Sequence, residues 1–339
     1  MQNLWGRDIA VLLNQNARKV TRKIVTNVQQ FVPEAQLYIS RSLDEGQELI
    51  RDIVQRDYTH LVCGGGDGTI VETINQLRNA FIEAGRSLSE MPKLGFLKLG
   101  TGNAWSAWLG ADSGKRSLPR MAISDRWKLR RVNLVESENR LYHFAGMGWD
   151  AAILNDYVAM KQRLTNTPLA RWMAGLSGYL ISTFGKTAPE QIMRRDRPKV
   201  RVIAQSSEVY AVSAGNPPVP LHIRPGETLY EGPANAIGAA TTPHYGYKLK
   251  AFPFARKMDD FMNFRIVKAG VMELIFNWHK IWQGTWKSPN LIDFLVRDVT
   301  IEADRPMPLQ IGGDAAGERD TLRMTISPLA VNVLDLSFA

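Results

Sequence analysis

No stretch of the chain limits its fold more than Gly64-Gly65-Gly66-Asp67-Gly68-Thr69. It follows His60 to Cys63, a short apolar run that reads as a buried strand. It precedes Ile70, Val71, Ile74, Leu77 and Phe81, which recur at helical spacing. Glycines remove side chains where a backbone must pass close to an anion, and they take conformations costly to other residues. Peptide N–H groups then point at phosphate oxygens, aided by the positive end of the following helix. Thr69 adds a hydroxyl at the helix start. Asp67 is the informative member, because a carboxylate among phosphate donors repels the ligand unless it serves a metal, a proton or a structural hydrogen bond. The plain alternative is a tight strand-to-helix turn with Asp67 as a helix cap.

Around this loop, residues 1–125 read as alternating strands and helices. Ile9 to Leu13, Leu37 to Ile39, His60 to Cys63 and Leu94 to Leu97 are the expected strands. Helical stretches are expected from Arg18 to Phe31 and from Leu43 to Gln55. The fourth strand runs into a second glycine turn, Gly100-Thr101-Gly102-Asn103, and a short helix. Such alternation predicts a doubly wound parallel sheet with helices on both faces and ligands beyond the carboxyl ends of its strands. Two glycine turns on one sheet then converge on one crevice.

From residue 126 to 339 the pattern changes to a larger, β-rich, sandwich-like lobe. Arg131 to Glu136 and Leu141 to Ala145, joined by Ser137-Glu138-Asn139, read as a hairpin. A helical insertion is expected over about 151–186, and short runs punctuated by Gly and Pro follow. A length of 339 residues favours two domains over one, which matches this change.

The single cysteine, Cys63, excludes an internal disulfide, and no Cys/His cluster offers a zinc or iron site. A reducing, cytoplasmic compartment is expected. No secretion signal is read at the start, and the nearest candidate for a span, Leu169 to Phe184, is interrupted by Arg171, Gly175 and Gly178. A net charge of +9 favours anionic partners. Without a zinc finger, an RNA-recognition signature or a basic recognition helix, nucleic acid is not expected among them.

Several residues carry two readings. Asp314 lies in a glycine-flanked loop after Leu309 to Ile311 and is either a turn aspartate or a functional carboxylate. Asp150 either faces a cleft or caps a helix near Ala151. His143 and His222 lie in strand-like segments without ligand spacing. The aromatic and basic residues from Ile275 to Lys287, including Trp278, His279, Lys280, Trp282 and Trp286, read as a core-facing amphipathic helix or as an interfacial patch. Leu164 to Phe184 carries the same ambiguity.

Cys63-Gly-Gly-Gly-Asp-Gly-Thr69 with Glu72 and Asn75, then Gly100-Thr-Gly-Asn103, resembles the diacylglycerol kinase catalytic domain and its lipid-kinase relatives. Asn14-Gln-Asn16 resembles the family's first nucleotide-contacting turn, Gly148-Trp-Asp-Ala151 its Gly-Phe-Asp-Ala segment, and Gly313-Asp314-Ala-Ala-Gly-Glu318 its late Asp-Gly-Glu motif. Three departures stand out: Asn14 is not followed by Pro-x-Ser-Gly, Ala104 stands where an aspartate is usual, and two alanines interrupt the late motif. The resemblance implies ATP bound by Asn14, Asn16, Gly64, Gly65, Gly66, Asp67, Gly68, Thr69, Gly100, Thr101, Gly102 and Asn103. It also implies Mg²⁺ with ligands unassigned, and Asp314 as general base with Asp67 as the alternative. The partner implied is a lipid hydroxyl at an anionic membrane surface, reached by peripheral association, and a homodimer is left open. NAD kinases share the Gly-Gly-Asp-Gly-Thr loop and form the runner-up; a nucleotide-binding regulator without turnover is the third reading.

Overall fold

The computed structural model describes residues 5–17, 19–100, 102–149, 151–152, 197–245 and 249–337. The chain divides into two compact units. The first comprises Met1–Val132, Gly246–Lys248 and Pro328–Ala339; the second comprises Asn133–Tyr245 and Leu249–Ser327.

In the first unit β1 (Ile9–Asn14), β2 (Leu37–Ser40), β3 (His60–Gly65) and β4 (Lys93–Lys98) are parallel, in the order β2-β1-β3-β4. Each of the first three is followed by a helix, α1 (Arg22–Gln29), α2 (Leu43–Gln55) and α3 (Asp67–Glu83). Two short helices, α4 (Ala104–Trp108) and α5 (Ser117–Met121), come after β4. On one face of the sheet Ile9, Val11, Leu13, Val62 and Leu97 pack with Val28 of α1 and with Leu118 and Met121 of α5. On the other, α2 lies against α3 and α3 against β3. Helices therefore cover both faces, which is why β3 is buried along its whole length. Capping sets two helix starts: Thr21 accepts from Ile24 N–H and Ser42 from Glu45 N–H. Helix α1 accordingly begins at Arg22, later than the sequence pattern predicts; Arg18 lies outside the described residues.

The second unit is strand-rich. Strand β5 (Leu129–Ser137), which begins in the first unit and enters the second at Asn133, turns into β6 (Arg140–Tyr142) through Glu138 and Asn139, at φ 49° and 61°, the left-handed pair that a two-residue hairpin requires. There follow β7 (Phe144–Gly148), β8 (Lys199–Ala204), β9 (Glu208–Ala211), β10 (Val219–His222), β11 (Thr228–Pro233) and β12 (Ala236–Ala240). Then come β13 (Met262–Val267), β14 (Leu291–Val296), β15 (Asp298–Ile311) and β16 (Asp314–Leu334). An antiparallel path runs β10-β9-β14-β13-β12-β7-β15. Strand β15 has two neighbours besides β16, pairing with β8 over Val299–Ala303 and with β7 over Leu309–Ile311. Its register with β16 shifts between Glu302 and Met307, across Pro306, and again at Pro308, where the chain has no amide to give a ladder. A single long strand thereby serves two sets of neighbours.

A buried polar cluster specifies the centre of this unit. Arg265 on β13 donates to both carboxylate oxygens of its register partner Asp293 on β14, at 2.8 and 2.9 Å. Asn263 donates to Asp293 at 2.9 Å and accepts from Phe254 N–H at 3.2 Å. Between β13 and β14 lie two short helices, α6 (Val271–Phe276) and α7 (Trp278–Gln283).

The expected division at residue 125 puts the chain's last stretch in the second lobe, whereas Pro328–Ala339 groups with the first unit. The cause is the end of β16, where Val333 pairs in parallel with Leu94 of β4, and Asp335, which accepts from Arg130 Nε at 2.7 Å. Of the expected helical insertion only Ala151 and Ala152 are described, both helical; the rest, with Leu164 to Phe184 and Asp150, lies outside the described residues. No helix among the described residues is long and apolar enough to cross a membrane.

Candidate functional site

Strands β1, β3 and β4 are neighbours, so the turns that leave their carboxyl ends lie side by side. These turns are Asn14 to Ala17, Gly64 to Thr69, and Leu99 to Asn103. Hydrogen bonds tie all three together. Asn14 Nδ2 donates to Thr69 Oγ1 at 3.0 Å, linking the first turn to the glycine loop. Leu99 N–H donates to Gly65 O at 3.2 Å, and Lys19 N–H to Leu99 O at 3.2 Å. The first turn is itself closed by Asn14 Oδ1, which accepts from Asn16 N–H at 2.9 Å, while Asn16 Nδ2 donates to Arg41 O at 2.6 Å.

The two glycine turns touch through backbone. A Cβ placed on Gly100 would sit 2.1 Å from Gly66 Cα, so only glycine fits at Gly100. Gly65 is equally closed, with Thr69 side-chain atoms 2.6 Å from such a Cβ, and Gly64 would meet Leu13 at 2.4 Å. Gly66 is the N-cap of α3, and Asp67, Gly68 and Thr69 form its first turn, whose N–H groups have no acceptor within the helix.

Asp67 has a structural task. Its Oδ2 accepts from Ala104 N–H at 2.9 Å and its Oδ1 from Trp105 N–H at 3.1 Å. The carboxylate thus caps α4 and fastens the second glycine turn to the first. Ala104 takes part through its backbone, so the departure from aspartate there leaves this link intact.

Asn103 is buried in the left-handed conformation, at φ 51° and ψ 45°. It is held there by its own side chain, which accepts from Gly100 N–H at 2.9 Å and donates to Gly100 O at 2.6 Å. Asparagine tolerates this region better than most residues because its side chain bonds locally. Gly102 lies half-buried in the same turn; Thr101 lies outside the described residues. Cys63, just before the glycines, is buried and its thiol is pushed up to about 12 by burial, which leaves it a packing residue and no nucleophile.

The residues expected at the first, glycine and second turns are therefore brought together in the first unit, Thr101 excepted. Asp314 belongs to the second unit. It is exposed and opens β16, directly after a two-residue turn in which Gly312 and Gly313 both have positive φ, 60° and 92°. Gln310, fully buried, accepts from Gly313 N–H at 2.9 Å and shapes that turn. Sequence reading missed the Asn14–Thr69 and Asp67–α4 links, since both join residues far apart in sequence.

Among the described residues no group of three His, Cys, Asp or Glu side chains is gathered as a metal site. Mg²⁺ makes no such demand, because it takes one or two carboxylates together with phosphate oxygens and water. The donor set at the glycine turns, backbone amides with Asp67 as a carboxylate beside them, fits a phosphate chain with such an ion.

This geometry defines an α/β domain with glycine turns gathered at the carboxyl edge of a parallel sheet. Residues 8–132 match the family model of the diacylglycerol kinase catalytic domain, the family that the motifs of the two glycine turns resemble. No curated protein matches the chain in sequence. Among solved structures, one from Bacillus anthracis str. Sterne assigned as a diacylglycerol kinase superposes with a TM-score of 0.65 at 15% identity, covering 97% of this chain and 95% of that one. A second so assigned from the same organism gives 0.63 at 15% identity, with 96% of each chain covered. A third, a diacylglycerol kinase of that strain, gives 0.61 at 12% identity, with 97% of each covered. At such identities the likeness is one of fold.

Proposed function

We propose that the chain transfers the γ-phosphoryl group of ATP to the hydroxyl of a lipid. The observation that carries this reading is the backbone contact of Gly66 with Gly100, inside the domain that matches the kinase family. The first turn of α3, whose N–H groups have no acceptor within the helix, offers amides to a phosphate chain, and Asp67 fastens it to the second turn, which Asn103 closes on Gly100. Phosphoryl transfer asks a protein mainly for positioning and charge neutralisation, and preorganised donors supply both. Mg²⁺ beside Asp67 would neutralise charge on the phosphate chain.

In the reaction the acceptor oxygen bonds to the γ-phosphorus, the bond from that phosphorus to the β–γ bridging oxygen breaks, and ADP leaves. The acceptor's proton goes to a carboxylate. The motif resemblance assigns that role to Asp314, with Asp67 second because both of its oxygens already accept backbone bonds. General-base assistance is worth about 10² to 10⁴ in rate. Asp314→Asn should lose turnover by that order while ATP affinity and melting temperature stay unchanged. Near-normal turnover would remove Asp314 from the role.

The acceptor is proposed to be met at a membrane surface, by peripheral association. Incubation with labelled ATP and a lipid extract tests the whole reading. Label in the organic phase is expected. Label in a dinucleotide fraction would make the chain an NAD kinase, and no transfer would make it a nucleotide-binding regulator.

A further inference from the structure

Among the described residues of the second unit, strands β7, β12 and β13 bury most of their apolar side chains, yet the segment 272–287 contains no fully buried residue although it is rich in large apolar side chains. Met272 is 50% exposed and Phe276 is 79% exposed, the highest value among the large hydrophobic residues described. The two stand four residues apart on α6 and so share one face of it.

The hairpin of α6 and α7 is held by polar anchors instead. Glu273 accepts from Ser288 Oγ at 2.5 Å and from Asn290 Nδ2 at 2.8 Å. Asn277 Nδ2 donates to Glu273 O at 2.9 Å. Lys250 N–H donates to Trp282 O at 3.1 Å, and Gly284, at φ 70°, ends α7 with Lys250 Cβ only 2.9 Å from where its own Cβ would be. Trp278 and Trp282 lie against each other, ring centroids 5.4 Å apart, and both remain half-exposed. The backbone is thus fixed on one side while Met272 and Phe276 stand in solvent.

Charge says what covers them. From Lys268 to Asn290 the only carboxylate is Glu273, already engaged by Ser288 and Asn290, whereas Lys268, Lys280 and Lys287 all lie in the segment. Lys280 and Lys287 are exposed. Projecting apolar side chains, half-exposed tryptophans and lysines form the set that an anionic bilayer interface accepts: rings at headgroup level, apolar tips below, ammonium groups on lipid phosphates. We infer that the α6–α7 hairpin is the membrane-docking element of this chain, with Met272 and Phe276 entering the interface and Lys280 and Lys287 meeting anionic headgroups. The choice of a bilayer as partner rests on the lipid acceptor proposed above. Of the two readings of Ile275 to Lys287 it takes the interfacial one, which the exposure of Phe276 supports.

Vesicle sedimentation without ATP tests the docking separately from the chemistry. The full chain should bind phosphatidylcholine vesicles containing phosphatidylglycerol more tightly than phosphatidylcholine alone, and less tightly as salt rises. Met272→Ser with Phe276→Ser, both at exposed positions, should weaken that binding about tenfold or more. Lys280→Gln with Lys287→Gln should weaken it about fivefold per lysine. Both variants should phosphorylate a short-chain, water-soluble acceptor at the wild-type rate. Unchanged vesicle binding by the serine variant overturns the inference, as does a serine-sensitive dimer in sedimentation equilibrium, which would make a second copy the occupant. Loss of activity on the soluble acceptor in the wild type would instead strike the proposed function and leave the docking result standing.

Discussion

Gly100 has no space for even a methyl group, because the second glycine turn rests on Gly66 Cα. Gly100→Ala should push the turns apart at a cost of about 1–3 kcal/mol, the usual range for overpacking. ATP affinity, read by calorimetry, should fall about tenfold for each 1.4 kcal/mol lost from the bound geometry. Unchanged affinity would show that the turn contact is not part of the nucleotide site. Asp67 makes a second test. Replacing it with alanine leaves Ala104 and Trp105 amides without their cap, which should cost about 1–2 kcal/mol in urea unfolding. A stability equal to wild type would mean that the two amides find other partners. The glycines were legible in the sequence because their type announces close backbone approach. Asp67's partners were not, since Ala104 and Trp105 lie on another turn.

Among elements, α2 is found over the residues its apolar spacing predicts, Leu43 to Gln55, because Ser42 caps its start and Ile50, Ile53 and Val54 line its buried side. Hairpin β5–β6 is equally local, its turn residues Glu138 and Asn139 taking positive φ, but its second strand ends at Tyr142, and Phe144 and Ala145 of the expected Leu141 to Ala145 belong to β7. The late glycine motif was legible only as a loop. In the structure it is the tight turn of β15–β16, and Gly313, at φ 92°, has room for a Cβ, whose nearest neighbour is Phe144 Cζ at 3.9 Å. Gly313→Ala therefore meets a conformational penalty and no clash, and should destabilise by about 1 kcal/mol. A variant as stable as wild type by thermal unfolding would show that this turn relaxes freely. The segment Ile275 to Lys287 carries helical periodicity without a fully buried residue. Its apolar residues are divided: Ile275, Trp278, Ile281, Trp282 and Trp286 are half-buried while Phe276 is exposed, because the chain between β13 and β14 is tethered by Glu273 and Lys250.

For the whole molecule, pH reports on buried imidazoles. His143 is fully buried and its pKa is lowered to about 3 by desolvation; His60 is lowered too, by burial first, against the opposing pull of Asp8. Unfolding returns both to about 6.5, so below that pH the unfolded chain binds more protons than the folded one. Stability is complete above about pH 6.5 and falls as the pH drops toward the folded values, by a few kcal/mol for His143. Between about pH 6.5 and 5.5 the ordinary carboxylates are still ionised, so the loss there belongs to histidine. Urea unfolding of wild type and His143→Phe across that window should give a shallower slope for the variant. Equal slopes would show that His143 takes up its proton without unfolding.

Local pattern by itself determined the alternation of strand and helix in residues 9–98, the placing of two glycine turns after strands, and the strand-rich character of the later chain. Each depends on spacing or residue type within a few positions, which is where backbone preference and one-sided burial act. Tertiary structure decided what those elements meet. It set the order β2-β1-β3-β4, the contact of Gly100 with Gly66, the use of Asp67 as a cap for α4, and the return of Val333 to Leu94 in the first unit. Pairings of this kind join residues distant in the chain, and their energy comes from complementary backbone and buried surface that exist only once the sheet has formed.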